Sequence, residues 1–531
     1  MKKGIWVVII LILLYALVAS PAKEIITQTT EPIKAPAALR LLMSDDLQAM
    51  EPILTEYVAQ SGEHAEIAVS YEGIASIRSI LQSDDCPYDA VWISSSVHFN
   101  MLDGGQRLSH TEFSSASPVV FAVRQPAAQS LGLTGELTVL DLIDAIGSGK
   151  LSFVIPNVSQ TNSGLTAYLG LLSGLSGNPT VLTQSHLQNP ELQSGLISLF
   201  SAVERSSGSD AFVMELLENE AYDCTVSSEA ELIRLNERLE AAGKAPMQLL
   251  YPAGGVTMND YPLAYIDQGD ADKLSAFLDF QSFVMGAEGR DILTKLGFRT
   301  DFGGLIAPEH YSIFKEDWGI KTKEYISSIV YPRKEFVTEA LSIYLNLLKK
   351  PSFTVFSLDF SGSMWGTGHE QLMAAMAYIL DPEEAGKDLI QFTDKDRVAI
   401  VIFHSGTQVI ASGSGEETLD MLSLLEQYEP DGGTAMHRGI INALTQIDVD
   451  PAEYTLSIVN MTDGEASQDS EGQKAVEQFY RETGDIVPVY SIMFGDASDK
   501  QLVPLAEISG GKVFDGRTDL TKAFQEVRGY N

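Results

Sequence analysis

The amino-acid sequence predicts an α/β protein built from two successive α/β blocks. Short apolar runs of roughly four to eight residues alternate with segments whose apolar residues recur every three or four positions, the patterns of buried strands and amphipathic helices. Strands that alternate with helices are typical of largely parallel sheets. The chain has 531 residues, of which 45% are hydrophobic, so it can bury sizeable cores. The composition excludes a wholly disordered chain and a collagen-like fibre.

The N-terminus predicts export. Lys2 and Lys3 precede an apolar run over residues 5–18, which is typical of a signal peptide and just short of a full membrane span. We therefore expect residues 1–22 to be a signal peptide or an uncleaved membrane anchor, and residues 23–36, rich in Thr, Pro and Ala, to be a linker. The rest of the chain would lie on the extracellular or periplasmic face, either membrane-anchored or secreted.

Charge and cysteine content limit the partners. The chain has 35 Lys and Arg against 72 Asp and Glu, a formal net charge of -37. Such an acidic surface repels phosphate backbones, so we expect no nucleic-acid partner and no membrane contact beyond the N-terminal segment. Cys86 and Cys224 are the only cysteines. They could form one disulfide or remain two buried thiols, and the sequence leaves both possibilities open.

The first block is expected over residues 37–310. Apolar runs predict strands at 39–43, 66–71 and 89–93, separated by helices within 47–58 and 74–81. A strand at 118–123 precedes a second, similar series. Its elements are strands at 151–155, 222–226, 247–251 and 263–266 and helices over 165–172 and 271–283.

A linker region, 311–350, with an amphipathic helix from about 325 to 350, is expected to join a second block over residues 351–531. The strands predicted there are 353–358, 398–403, 455–460 and 487–494, and the helices are 371–380, 437–444 and 473–482.

The second block carries the sharpest motif. Asp359, Ser361 and Ser363 follow its first strand, Thr434 stands after two glycines and before a helix, and Asp463 follows the strand at 455–460. Loops at the carboxyl ends of parallel strands meet at one edge of a sheet. Carboxylate and hydroxyl oxygens without His or Cys suit Mg²⁺ or Mn²⁺. An acidic group of a partner could take a coordination position that these side chains leave open. The alternative is that Asp359 and Ser361 only cap a helix.

These five residues resemble the metal-ion-dependent adhesion site of von Willebrand factor type A domains, whose pattern is Asp-x-Ser-x-Ser with a distant Thr and a distant Asp. The resemblance covers residues 351–531 and implies a Rossmann-like binding module. Its metal would contact a carboxylate of a protein partner. Trp365 to His369 extend the first loop, and we interpret them as ordinary loop residues, with His437 as an exposed or capping histidine.

The first block resembles the type II periplasmic solute-binding proteins. Residues 118–123 look like their crossover between two lobes, and residues 276–290 with Gly297 and Phe298 look like their terminal helices. The resemblance implies a bilobal periplasmic-binding-protein-like domain with a small-molecule ligand in its cleft. The combination with an A domain resembles a group of bacterial surface proteins.

Loops that pass from a strand end to a helix start give the cleft candidates. Backbone N–H groups and hydroxyls there can bind a polar or anionic ligand, but Ser and Thr can equally be helix caps. At a further loop, Asp45 and Asp46 would repel an anionic ligand. The class of ligand nevertheless stays open: an oxyanion, a sugar, a peptide or no ligand. The candidates are Ser44, Gly73, Ser76, Ser94, Ser95, Thr161 and Ser163.

Catalysis has no supporting motif. Gly147-Ser148-Gly149-Lys150 is followed by Leu151 where a phosphate loop needs Ser or Thr, and neither G-x-S-x-G nor H-E-x-x-H occurs. Asp394 and Asp396 are interpreted as a solvated turn. We predict a binding protein and not an enzyme, with metal-dependent binding of a protein partner, as in surface adhesion, as the main function. The alternative is a solute receptor or transport-linked sensor whose A domain couples ligand binding to a partner.

Overall fold

The computed structural model describes residues 39–61, 66–102, 107–254, 256–464, 470–484, 487–495, 497, 499–517 and 520–529. The expected signal or anchor at 1–22 and the linker at 23–36 lie outside these ranges. Across the described ranges, no helix is both long enough and apolar enough to span a membrane.

The first block forms two lobes, each around its own sheet. Its strands in chain order are β1 (Leu39–Ser44), β2 (Ile67–Glu72), β3 (Ala90–Trp92), β4 (Leu108–Phe113), β5 (Ser117–Arg124), β6 (Phe153–Pro156), β7 (Val203–Ser207), β8 (Cys224–Ser228), β9 (Met247–Leu250), β10 (Met258–Asn259) and β11 (Pro262–Ile266). The first sheet has the order β2-β1-β3-β11-β4, and the second has the order β10-β5-β8-β6-β7 with β9 beside β5.

Both sheets are mixed, which departs from the largely parallel sheets that the alternation of elements predicts. In the first lobe β1, β2 and β3 are parallel, whereas β11 is antiparallel to β3 and β4. In the second lobe β5 is antiparallel to β8 and β9. The reason is the chain path. The chain leaves the first lobe between β4 and β5 and returns between β10 and β11, so the strands next to these passages run against their neighbours.

Helices cover the sheets of both lobes. Rings of Tyr57, Trp92 and Phe280 pack together in the core of the first lobe. The helices are Glu51–Ser61, Ile74–Gln82, Val97–Asn100, Gln125–Leu131, Val139–Gly147, Asn162–Leu175, Gln184–Leu187, Pro190–Ser201, Asp210–Glu218, Glu229–Ala241, Ala271–Met285 and Ala287–Lys295, with a 3-10 helix at Asp45–Met50.

The region at 311–350 is not a separate linker in the structure. Its helix begins at Lys334, not near residue 325, because Pro332 disfavours helical backbone at the residue before it. The helix Lys334–Ile343 continues as a π-helical turn, Tyr344–Leu348, and its apolar face is part of the second lobe's core. Trp318, ahead of this helix, packs against the same lobe.

The second block is a six-stranded sheet with helices on both faces. Its strands are β12 (Ser352–Asp359), β13 (Arg397–Phe403), β14 (Thr407–Ser414), β15 (Thr455–Thr462), β16 (Val489–Met493) and β17 (Lys512–Asp515), in the order β14-β13-β12-β15-β16-β17. Every residue of the central strand β12 is buried, as expected for a strand covered on both faces. The helices are Thr367–Leu380, Pro382–Lys387, Thr418–Leu425, Met436–Gln446, Ser470–Thr483, Asp499–Ser509 and Leu520–Arg528.

Strand β14 was not predicted. It is the antiparallel edge of the sheet, and its sequence mixes polar residues with Gly and Ala, so no apolar run marks it. An edge strand needs little apolar surface because one side of it has no neighbouring strand.

The two cysteines are free thiols in the structure. Cys86 precedes β3 in the first lobe, and Cys224 begins β8 in the second lobe. The two lobes have separate cores, which keeps the two thiols apart. Burial raises the pKa of both thiols, so each is a protonated, unreactive side chain at neutral pH.

Two further expectations are corrected by burial. Asp396 is not a solvated turn residue: it is 3% exposed and accepts hydrogen bonds from the backbone N–H groups of Ser352 and Thr393, each at 2.7 Å. His437 is 5% exposed and lies on the inner face of the helix Met436–Gln446. Asp394 is exposed, as expected.

Candidate functional site

Four of the five predicted metal ligands come together at the carboxyl edge of the second block's sheet. Asp359 ends β12, and Ser361 and Ser363 belong to the tight turn that follows it. The Oγ atoms of Ser361 and Ser363 are 3.0 Å apart, and Ser363 Oγ donates to Asp463 Oδ1 at 2.9 Å. Two strand ends that are adjacent in the sheet thus bring two carboxylates and two hydroxyls into one cluster.

The fifth residue, Thr434, lies in a loop that is held against this cluster. The N–H of Gly362 donates to the carbonyl of Gly432 at 3.0 Å, and the N–H of Gly433 donates to Ser405 Oγ at 2.7 Å. Gly432 has a φ of 76°, and a Cβ there would lie 2.5 Å from Ser405 Oγ. Only glycine fits this position, so the two glycines ahead of Thr434 set the path of its loop.

Asp359 is a buried carboxylate, and no cation of the described residues is among the groups that act on its pKa. It is fully buried, and its oxygens accept from the N–H of Ser361 at 2.9 Å and from Thr462 Oγ1 at 2.7 Å. Burial raises its pKa to about 6, and the charge of Asp463 acts in the same direction. A cation between the two carboxylates would reverse this effect. Thr462 was not singled out from the sequence, although it directly precedes Asp463.

An octahedral cation sets a requirement on the oxygen separations in this cluster. Mg²⁺ binds oxygens at about 2.1 Å in an octahedron, so adjacent ligand oxygens lie about 3.0 Å apart. The separations of 3.0 Å and 2.9 Å around Ser363 are hydrogen-bond lengths that are also compatible with this geometry. The described residues contain no group of three or more His, Cys, Asp or Glu placed to hold a metal. A metal at this edge would therefore rely on hydroxyls as well as carboxylates.

The rim of this cluster carries an exposed aromatic residue. Trp365 is 63% exposed, directly after the Ser363 turn. His369 packs edge-on against Phe360, with ring centroids 5.3 Å apart.

The predicted cleft residues lie at the boundary between the two lobes. Ser44 ends β1 of the first lobe, and Gly73, Ser94 and Ser95 follow β2 and β3. Thr161 and Ser163 lie at the start of the helix Asn162–Leu175 of the second lobe. The lobes are in contact across this boundary, where His98 Nε2 lies 3.1 Å from Asn162 Oδ1. All of these serines and Thr161 are buried.

Several of the cleft hydroxyls bond within the protein. Thr161 is a helix cap, because its Oγ1 accepts from the N–H of Gly164 at 3.0 Å. Ser94 Oγ donates to Asp46 Oδ2 at 2.5 Å and lies 3.5 Å from Ser44 Oγ. The cap interpretation therefore applies to Thr161, while Ser44 and Ser94 orient an acidic side chain, Asp46.

The second block covers the opening of the cleft. Asn157 Nδ2 donates to the carbonyl of Gly529 at 3.1 Å, and Gln160 Nε2 donates to the carbonyl of Asp388 at 2.8 Å. Ser76 faces Gln525 at 3.5 Å and not an open cleft. The sequence analysis missed this cover, because a contact between residues hundreds of positions apart leaves no local signal in the sequence.

Comparison with known proteins characterises the lobes. Residues 39–299 match the family model of a bacterial extracellular solute-binding protein. The two lobes are a solute-binding protein domain, and this part of the predicted resemblance is confirmed.

Solved structures of the same kind resemble the chain at low identity. The periplasmic binding protein P5PA shares 15% identity and a TM-score of 0.44, over 59% of this chain and all of that one. The sulfate-binding protein SubI from Mycobacterium tuberculosis H37Rv shares 17% identity and a TM-score of 0.39, over 54% of this chain and 93% of that one.

Two curated proteins match a shorter stretch. Inter-alpha-trypsin inhibitor heavy chain H2 from Sus scrofa is 27% identical over 160 residues, which are 27% of this chain and 16% of that protein. The Homo sapiens protein of the same name is 26% identical over 131 residues, 23% of this chain and 13% of that protein. The chain thus spans less than a fifth of the length of these relatives.

Proposed function

We propose that this chain is an exported solute receptor that binds a small molecule between its two lobes and transmits the bound state through its second block to a partner. The match of residues 39–299 to a solute-binding family supports the first part. The contacts between the cleft loops and the second block support the second part.

One observation carries the coupling. The loop that follows β6 holds Asn157 and Gln160, and both side chains donate to backbone carbonyls of the second block. The same loop leads into the helix whose first residue, Asn162, meets His98 of the other lobe. The second block also contacts the first lobe, where Lys522 pairs with Glu72 at 2.7 Å. Because the second block contacts both lobes, a change in their separation must move or break some of these contacts, which gives two sites a physical connection.

A solute screen on the full chain tests this function. Sulfate, ferric citrate, fructose 6-phosphate, thiamin and amines are added in turn, and the melting temperature is measured. A solute that binds only the folded protein raises that temperature, by an amount that grows with its concentration. A broad panel that shifts nothing would contradict the receptor function.

A second candidate function is metal-dependent binding of a protein partner by a von Willebrand A domain. The convergence of two carboxylates and two hydroxyls at one edge of the sheet favours it. Asp359, Ser361, Ser363, Thr434 and Asp463 would hold Mg²⁺ or Mn²⁺. The bound ion would offer an open coordination position to a partner's carboxylate. Exposed Trp365 lies where that partner would sit, and buried aromatic anchors often dominate such interfaces.

Calorimetric titration with Mg²⁺ and Mn²⁺ tests the metal site. We expect binding by the full chain and by Asp394→Ala, whose exposed carboxylate is a matched control, and none by Asp359→Ala. Affinity capture of surface proteins with metal, with EDTA and with Asp359→Ala then tests the partner. Equal metal binding by Asp359→Ala would remove this candidate.

A further inference from the structure

A cavity of about 370 Å³ lies where both lobes meet the second block. The first lobe contributes Asp45, Asp46 and Tyr71, and the second lobe contributes Asp210 and Glu231. The third wall belongs to the second block, which contributes Lys512, Lys522 and Glu526. The volume falls in the range of small-molecule sites, about 300–1,000 Å³.

The polar atoms of this cavity lack partners in a way that points to a ligand. Asp210 is 6% exposed, and its Oδ1 has no hydrogen-bond partner within the described part of the chain. Asp46 Oδ1 and the hydroxyl of Tyr71 are buried without a partner as well. Unsatisfied buried polar atoms are rare in folded proteins, and three of them line one cavity here.

The charge of the lining selects the kind of ligand. Five carboxylates, Asp45, Asp46, Asp210, Glu231 and Glu526, face two lysines. Lys522 pairs with Glu72 at 2.7 Å, and Lys512 lies over the rings of Phe212 and Phe514. The charges of both lysines also oppose the rise that burial causes in the pKa of Glu526. Glu231 pairs with Arg234 at 3.0 Å. No cation in the described part of the chain is among the groups that act on Asp46 and Asp210, so their side of the cavity repels an anion and attracts a cation.

An inorganic ion does not fit this arrangement. The carboxylates come from three walls of the cavity, and among the described residues no three acids converge on one point as metal ligands would. Groups spread around a cavity of this size suit a longer molecule with separated positive charges.

Building on the proposed solute receptor, we propose that this cavity binds an organic cation with ammonium groups, such as a di- or polyamine, and that Glu526 of the second block is part of the site. Asp210 and Asp46 accept hydrogen bonds from ammonium groups on the lobe side, and Glu526 accepts one from the opposite wall. Solute and second block then meet directly.

The pKa shifts of the cavity's carboxyl groups agree with this inference. Burial raises the pKa of Asp210 well above its ordinary range, and the charges of Asp46, Asp45 and Glu231 raise it further. Burial also raises the pKa of Asp46. A cation supplies the opposite charge that these carboxyl groups lack.

The test adds spermidine or putrescine to the full chain and measures the melting temperature. Calorimetric titration then measures the affinity for each amine. We expect both amines to raise the melting temperature and to bind at least tenfold more weakly to Asp210→Asn. Glu526→Gln is expected to weaken spermidine binding several-fold. Asp144→Asn, an exposed carboxylate of the second lobe outside the cavity, should bind like the unmodified chain.

The outcomes separate this inference from the receptor function. Binding of sulfate or ferric citrate without binding of either amine would leave the receptor function in place and overturn the organic-cation site. Equal spermidine affinity in Asp210→Asn would also overturn it, and unchanged affinity in Glu526→Gln would remove the second block from the site. Without amine, Asp210→Asn is expected to melt at or above the melting temperature of the unmodified chain, because the substitution removes a buried carboxylate that has no counter-ion. Such a melting transition shows that the variant folds.

Discussion

Asp359 and Asp396 are buried in the same domain, yet their surroundings shift their pKa values in opposite directions. Burial raises the pKa of Asp359 to about 6, and no cation of the described residues is among the groups that act against this shift. Burial acts on Asp396 in the same sense, but the charges of Lys349 and Arg528 and several hydrogen bonds outweigh it, so its pKa lies below the ordinary value. Asp396 is therefore satisfied within the fold, while Asp359 has the environment of a site.

Asp396→Asn is expected to destabilise the protein by about 3 kcal/mol at neutral pH, because it leaves the buried charges of Lys349 and Arg528 without their partner. The folded-state pKa is lowered from 3.8, so the stabilisation is present above pH 3.8 and is lost as the pH falls through the folded-state value. Urea unfolding at neutral and acidic pH measures this. A difference from the unmodified chain that persists unchanged at low pH would contradict the prediction, and Asp394→Asn, at an exposed carboxylate, should change stability by about 0.5 kcal/mol or less.

Thr462 offers a second residue-scale prediction that depends on the proposed metal site. Its Oγ1 donates to Asp359 Oδ2 at 2.7 Å and so orients this ligand. Groups that orient metal ligands typically contribute about 10–100-fold to affinity. We expect Thr462→Val to weaken Mg²⁺ binding in that range by calorimetry, with Thr455→Val, at the far end of β15, as the control. Unchanged affinity in Thr462→Val would show that this hydrogen bond does not support the site.

At the scale of elements, the helix Lys334–Ile343 with its π-helical turn has a different role in the structure from the one that its sequence predicts. Its amphipathic pattern predicts a helix that bridges two blocks. In the structure its apolar side fills the second lobe, where the hydroxyl of Tyr168 donates to the carbonyl of Ala340 at 3.1 Å. The solute-binding unit therefore depends on residues beyond position 299, where the family match ends.

Substitutions on two sides of this element should differ sharply. Leu341 is 2% exposed, and Leu341→Ala is expected to cost about 2–5 kcal/mol in the free energy of unfolding, because it leaves a cavity in the core. Leu347 is 43% exposed, so Leu347→Ala should have an effect below about 1 kcal/mol. Urea unfolding of both variants checks this difference. Equal effects would mean that the helix does not belong to the core of the lobe.

At the scale of the whole molecule, the two lobes hold one buried thiol each. Because Cys86 and Cys224 are free and belong to different lobes, a reducing agent should leave the melting temperature unchanged. Both thiols should react with a thiol reagent only after denaturation, since burial raises their pKa values. A lower melting temperature under reducing conditions would instead indicate a disulfide in the native protein.

The contacts between cleft and second block predict coupling between the two proposed sites. A saturating solute should change the affinity for Mg²⁺, and Mg²⁺ should change the affinity for the solute by the same factor. Asn157→Ala combined with Gln160→Ala removes two hydrogen bonds to the second block and should reduce this factor toward one. Paired calorimetric titrations measure it. An unchanged factor in the double variant would place the coupling elsewhere.

The sequence by itself determined the α/β class and the residues of the candidate metal cluster, while the two solute-binding lobes were expected from a family resemblance. These features are local: apolar periodicity follows from which face of an element is buried, and Asp359, Ser361 and Ser363 occupy one turn. Thr434 and Asp463 follow other predicted strand ends, so the rule that parallel strands share a carboxyl edge was enough to group them.

Only the tertiary structure decided what surrounds these residues. The burial of Asp396, the free thiols in separate lobes and the packing of the helix at 334–348 depend on which elements meet, and no short stretch of sequence encodes that. The acidic cavity is the feature that depends most on which elements meet. Asp46, Asp210 and Glu526 lie far apart in the chain, and they face one another only because the second block closes over the boundary between the lobes.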